Sequence, residues 1–152
     1  MFIQDFACAL VLIHNAYDNH IGLKSSPEPF MRGRPLITHE FAAQFAEDWI
    51  ASWNAHDLSR ILSHYTDDFE MLSPYIVQIA GEPSGVLKGK AAVGAYWAKA
   101  LAQMPALQFE LHSVLIGVDS LVIYYHSVKG MAAELFFFDA HGKILKACAH
   151  YA

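Results

Sequence analysis

Residues 132–138 read AAELFFF, one carboxylate among apolar side chains at a spacing that could support acid–base chemistry. Alternation along a strand puts Ala132, Glu134, Phe136 and Phe138 on one face. If that face is enclosed, desolvation disfavours the charged carboxylate, and the pKa of Glu134 rises toward the range useful for proton transfer. In the run before it, Leu121, Ile123 and Tyr125 share a face. That offers the Tyr125 hydroxyl as a donor to a substrate oxygen that gains charge. The competing account makes Glu134 a solvated or ion-paired outer residue, and a single bulge would exchange the faces.

The densest titratable stretch is SWNAHDLSRILSHYTDDF, residues 52–69. Most of it reads as structure. Asp57 stands directly before an apolar-periodic segment, as a helix cap does, and Asp67 and Asp68 read as water-facing turn and strand-entry residues. His56 and His64 read as exposed loop and helix-face groups. Trp53 and Tyr65 lie on apolar stripes, as core or pocket residues.

Other chemistries fail on spacing. HEFAA at residue 39 lacks the second histidine of a zinc helix, and neither cysteine has a nearby ligand partner, so no metal is expected. GVLKGK at 85–90 is one residue too short for a phosphate loop, and GEPSG is not a serine-hydrolase elbow. No cofactor is expected.

The elements that must position these groups follow from periodicity. Thr38 caps a helix in which Phe41, Phe45, Ala46, Trp49, Ile50 and Trp53 recur at three- and four-residue spacing, ending near Asn54. Asp57 caps a shorter helix carrying Leu58, Ile61, Leu62 and Tyr65. FEML reads as a strand, and residues 74–88, interrupted by Pro74, as a loop or irregular hairpin over the mouth of a pocket. A third helix runs from Gly89 to Met104, with Val93, Tyr96, Trp97 and Ala100 on one face and Pro105 as its stop. Residues 107–117, 121–128, 132–139 and 143–151 read as an antiparallel meander. In the last strand, Leu145, Ala147, Ala149 and Tyr151 form the apolar face opposite Lys146, Cys148 and His150. His112, Tyr124, His126 and His150 share the outer face.

Composition bounds the rest. The chain has 152 residues, 55% hydrophobic and 16% charged, with a formal charge of -5. That suits one compact domain without the basic field that nucleic acid or an anionic membrane would require. Cys8 and Cys148 form no close pair, which fits a reducing cytoplasm and no disulfide. The proline-rich KSSPEPFMRGRPL sets a boundary, with residues 1–37 as an extension and linker and 38–152 as the domain. The segment before it reads as an appended helix or as upstream sequence ahead of Met31.

FAEDWIASWNAHDLSRILSHYTDDFEM, GVLKGKAAVGAYWAKAL and AAELFFFDAHGKILKACAHYA, in this order, resemble the nuclear transport factor 2-like superfamily, most closely its SnoaL-like branch, over about residues 38–152. The resemblance implies an α+β fold in which a curved antiparallel sheet wraps about three helices into a cone with a deep apolar pocket. It also implies a homodimer through the outer sheet face, and it puts Glu134 where the family often has an acidic pocket residue. On that basis Trp53, Tyr65, Met71, Trp97, Phe136 and Phe138 are candidate ligand-binding residues, and Glu134 and Tyr125 candidate catalytic ones. Members of the superfamily isomerise, cyclise, dehydrate, bind or scaffold, and fold does not choose among these. Three readings stay open: a cofactor-free acid–base enzyme on a small hydrophobic molecule, a non-catalytic binder using the same cavity, and a dimeric scaffold.

Overall fold

A computed structural model describes residues 37–152. The extension before Ile37, Cys8 and the boundary around Met31 lie outside the described residues. Helix α1 spans His39–Asn54 and starts where Thr38 accepts a hydrogen bond from the Phe41 amide at 3.1 Å. Its buried face carries Ala42, Phe45, Ala46, Trp49, Ile50 and Trp53, the helical repeat read from the sequence except that Ala42 is buried and Phe41 is half-buried. Each large side chain fully removed from water there contributes roughly 1.5–3 kcal/mol. After a turn with His56 at φ 52°, Asp57 accepts from the Arg60 amide at 3.0 Å and opens helix α2, Leu58–Ser63.

Strand β1, Tyr65–Leu72, begins earlier than FEML alone suggests. Tyr65 is therefore a strand residue rather than the last turn of α2. Residues 74–88 hold a short helix, α2's successor α3 at Pro74–Ile79, and strand β2 at Val86–Lys88, in place of the expected loop. The reason is local. Ser73 accepts from the Tyr75 amide at 3.2 Å, and Pro74 occupies the first helical turn, where its missing N–H costs nothing. Helix α4 spans Lys90–Gln103. Strands β3 (Phe109–Ile116), β4 (Ser120–Ser127), β5 (Gly130–Phe138) and β6 (Ile144–Tyr151) complete the chain.

The six strands form one curved, unclosed sheet in the order β2-β1-β6-β5-β4-β3. From β3 to β6 it is the antiparallel meander expected. The β1–β6 pair is parallel, which corrects the expectation of a wholly antiparallel sheet. Turn chemistry marks hairpins only, and β1 reaches β6 across most of the domain, so no turn between them exists to be read. The inner face buries Leu121, Ile123 and Tyr125 of β4, Ala132, Glu134, Phe136 and Phe138 of β5, and Ala147 and Ala149 of β6. Leu145 departs from its expected place. Phe137 pairs with Lys146 and Phe138 with Ile144, so Leu145 is the extra residue of a bulge and turns outward, 43% exposed. Ile144 takes the inner position instead.

Candidate functional site

Between the inner sheet face and helices α1, α3 and α4 lies a cavity of about 70 Å³. Trp49 and Trp53 reach it from α1, Met71 from β1, Tyr96 and Trp97 from α4, and Phe109 from β3. Their rings form a continuous wall. Phe109 lies 5.7 Å from Trp49, 5.6 Å from Trp53 and 4.6 Å from Tyr125, centroid to centroid. At the rim, Tyr75 of α3 and Tyr151 of β6 stack at 4.3 Å, and the Lys129 ammonium sits 4.6 Å over the Tyr75 ring.

Glu134 is the carboxylate on this wall. It is 4% exposed and is flanked in register by Ile123 and Ala149, two apolar neighbours that cannot solvate it. Tyr125, paired to Ala132, sits diagonally across on the same face, and its hydroxyl donates to Glu134 Oε2 at 3.4 Å. Burial outweighs that hydrogen bond and pushes the Glu134 pKa up to about 8. At neutral pH the group is therefore largely a carboxylic acid, and a modest rise in pH makes it a base. Burial, with Glu134 adding to it, raises the Tyr125 phenol well above 10, so Tyr125 stays a neutral donor. Tyr96 is pushed up to about 12, mainly by burial, and Tyr151 is raised by burial and then by Glu134. Ser73 Oγ lies 3.4 Å from the Tyr151 hydroxyl.

Of the residues singled out in the sequence, Glu134, Tyr125, Trp53, Met71 and Trp97 meet at the cavity. Tyr65, Phe136 and Phe138 do not line it, a correction to the candidate ligand-binding set. Tyr65 is 1% exposed, accepts from Trp49 Nε1 at 3.1 Å and packs on Phe69 and Trp97. Phe45 of α1 fills the space over Phe136 and Phe138, with ring centroids 5.4 and 5.0 Å away. Trp49, Tyr75, Tyr96, Phe109, Lys129 and Tyr151 were missed. Two signals pointed to some of them: Tyr96 shares the apolar face of α4 with Trp97, and Tyr151 shares the inner face of β6 with Ala147 and Ala149.

The dense stretch of residues 52–69 holds one arrangement that imitates a nucleophile relay. Ser52, His64 and Asp48 cluster, with Ser52 Oγ 3.5 Å and Asp48 Oδ2 3.2 Å from His64. Both contacts use the same nitrogen, Nε2, whereas a relay needs one partner on each ring nitrogen. Ser52 is fully buried, donates to the Trp49 carbonyl at 2.8 Å and does not line the cavity. Asp48 also pairs with Arg60, so the cluster ties α1 to α2. His64 is half-buried rather than exposed, and His56 binds the Leu107 carbonyl through Nε2 at 2.9 Å. Among the described residues, no group of three or more His, Cys, Asp or Glu side chains is placed to hold a metal ion. No described helix is long and apolar enough to cross a membrane.

Comparison with known proteins agrees with this architecture. No curated protein matches the chain. A crystal structure of a SnoaL-like protein of unknown function from Burkholderia thailandensis is 57% identical, covers 78% of this chain and 99% of its own, and superposes with a TM-score of 0.75. TerC, co-crystallised with polyporic acid, shares the fold at 14% identity, with 73% and 91% of the two chains covered and a TM-score of 0.60. A nuclear transport factor 2-like protein of unknown function from Cytophaga hutchinsonii does so at 12% identity, 78% and 94% coverage and a TM-score of 0.54. Residues 46–145 match the SnoaL-like domain itself. With two thirds of its length matched and a close structural relative of the same description, the chain belongs to the SnoaL-like branch of the nuclear transport factor 2-like superfamily.

Proposed function

We propose that this protein is a cofactor-free acid–base enzyme of the isomerase, cyclase or lyase type, acting on a small, largely apolar carbonyl compound. One observation carries the reading: a fully buried carboxyl with a pKa near 8 faces an aromatic cavity and keeps a single hydroxyl partner. In its ionised form Glu134 takes a proton from a carbon beside the carbonyl. The C–H pair becomes a C=C bond while the carbonyl oxygen gains charge, and the resulting carboxylic acid returns the proton to the same carbon, which is exchange, or, where the substrate carries a β,γ C=C bond, to the γ-carbon, which moves that bond into conjugation. Nothing is oxidised, so no co-reactant is needed.

Size narrows the substrate. A cavity of roughly 150 Å³ accommodates benzene, and this one measures about 70 Å³. The cavity therefore encloses the carbonyl end of a small ketone, and a ring as large as cyclopentanone or cyclohexanone reaches out past Tyr75, Lys129 and Tyr151. The crystallised partner of TerC shows only that a relative of this fold was prepared with an organic ligand.

The test is solvent deuterium exchange, followed by proton NMR, into the α-positions of small ketones from acetone to cyclohexanone. Exchange above the buffer rate is expected, with a loss of roughly 10²–10⁴-fold in Glu134→Gln. Exchange that persists in the variant, or that never exceeds buffer, ends the enzymatic proposal. A second reading, ligand binding without turnover, draws on Glu134 being the one carboxylate on the wall among the described residues. Binding that survives Glu134→Gln without any exchange in either protein would favour it. We further propose that the protein is a homodimer through its outer sheet face, where an apolar row crosses five strands.

A further inference from the structure

We infer that the indole N–H of Trp53 is the hydrogen-bond donor that receives the substrate's carbonyl oxygen. The assignment rests on the cavity being a ligand site. Trp53 lines that cavity and is 7% exposed, yet its Nε1 has no hydrogen-bond partner among the described residues. Buried polar groups are almost always satisfied, and an indole nitrogen can only donate. Something that enters the cavity must supply the acceptor. Its neighbour Trp49 shows the contrast, because its Nε1 donates to the Tyr65 hydroxyl at 3.1 Å.

The other candidate donor is already engaged. Tyr125, expected from the sequence to serve the substrate oxygen, directs its hydroxyl to Glu134. Trp53 stands one ring away on the same wall, since Phe109 contacts both Trp53 and Tyr125. A two-point clamp fixes that spacing. Asn54 Nδ2 donates to the Phe109 carbonyl at 2.9 Å, and the Phe109 amide donates to Asn54 Oδ1 at 2.7 Å, which ties the end of α1 to the start of β3 beside Trp53. A donor held this way needs no rearrangement as charge grows on the oxygen it faces. The ligand class that fits is a small ketone or enone, its oxygen on Trp53 and the adjacent carbon toward Glu134.

Two isosteric probes test this: cyclopentanone, which carries the acceptor, and methylenecyclopentane, which replaces oxygen by CH₂. In a ¹⁵N-labelled protein the Trp53 indole resonance should move downfield on titration with the ketone and not with the hydrocarbon. Trp53→Phe should weaken the ketone about fivefold, the worth of one neutral hydrogen bond, and leave the hydrocarbon within about twofold. If both probes bind and the resonance stays still, or if the substitution weakens both alike, Trp53 is only a wall and the inference falls alone. If neither probe binds the wild-type protein, the cavity is not a ligand site and the inference falls with it. The wild-type resonance decides the question even where the variant folds poorly.

Discussion

Glu134 makes a single residue visible in the stability of the whole domain. Its carboxyl titrates near 8 when folded and near 4.5 when unfolded, so between those values the native state holds a proton that the unfolded chain releases. Stability must then fall as pH rises from about 4.5 to 8 and level off above, by roughly 5 kcal/mol if the whole shift is expressed. His64 acts oppositely at lower pH. Burial depresses its pKa below 6.5 despite the attraction of Asp48, so the unfolded chain binds protons first and stability is lost as pH falls below 6.5. Urea melts across pH 5 to 9 should show the decline toward alkaline pH. Glu134→Gln, which imitates the protonated acid, should remove the decline between about 4.5 and 8 and leave the loss below 6.5 that comes from His64. A decline of equal size in the variant would place its origin elsewhere. Removing the buried ionisable group should thus have two consequences at one position: loss of the proposed turnover and a gain of stability toward alkaline pH.

At the scale of elements, the turn between β5 and β6 aligns the strand that carries Glu134 with its neighbour. Asp139 Oδ1 accepts from the amides of His141 at 2.8 Å and Lys143 at 2.9 Å, and Gly142 closes the turn at φ +73°. A Cβ there would lie 3.1 Å from the Phe41 ring besides requiring a left-handed backbone. Gly142→Ala should therefore cost about 1–2 kcal/mol, measured by chemical denaturation, and an unchanged midpoint would remove the strain account. Such local chemistry is what a sequence exposes. Thr38 and Asp57 cap their helices as read, and strict alternation put Glu134, Tyr125 and Ala132 inside. Ser73 and Pro74 were an equally legible helix start, obscured by treating the proline as an interruption. The parallel β1–β6 pairing, the bulge at Leu145 and the packing of Phe45 over Phe136 and Phe138 have no local signature, because each depends on contacts between distant segments. For the same reason the cavity wall, drawn from α1, α3, α4 and five strands, was legible only in part.

At the scale of the molecule, the face opposite the cavity raises its own question. Leu115, Val122, Leu135, Cys148 and Leu72 are consecutive register partners across β3, β4, β5, β6 and β1. Leu115 is 61% exposed, and the others stand on the outer side of strands whose alternate residues fill the core. Polar groups border the row. On one side Ser113, Tyr124, Ala133 and His150 align, with His112 packed against Tyr124 at 5.2 Å, and on the other Lys146 pairs with Glu70 at 2.8 Å. An apolar centre with a polar rim is the anatomy of an interface. A second copy is the occupant proposed, because a row running across a sheet can meet itself about a two-fold axis with no other partner required. Light scattering on the purified protein at micromolar concentration should give twice the monomer mass. Leu135→Glu puts an unpaired charge at the centre of the row while its side chain stays outside the core, so it should yield a folded monomer. A wild-type monomer, or a variant that remains dimeric, would remove the outer face as the contact. Because Val122 and Leu135 alternate with the inner residues Ile123 and Glu134 on the same strands, dimerisation would also stiffen the wall that holds the carboxylate. The monomeric variant should then bind cyclopentanone more weakly than the wild type, although no residue of the cavity has changed.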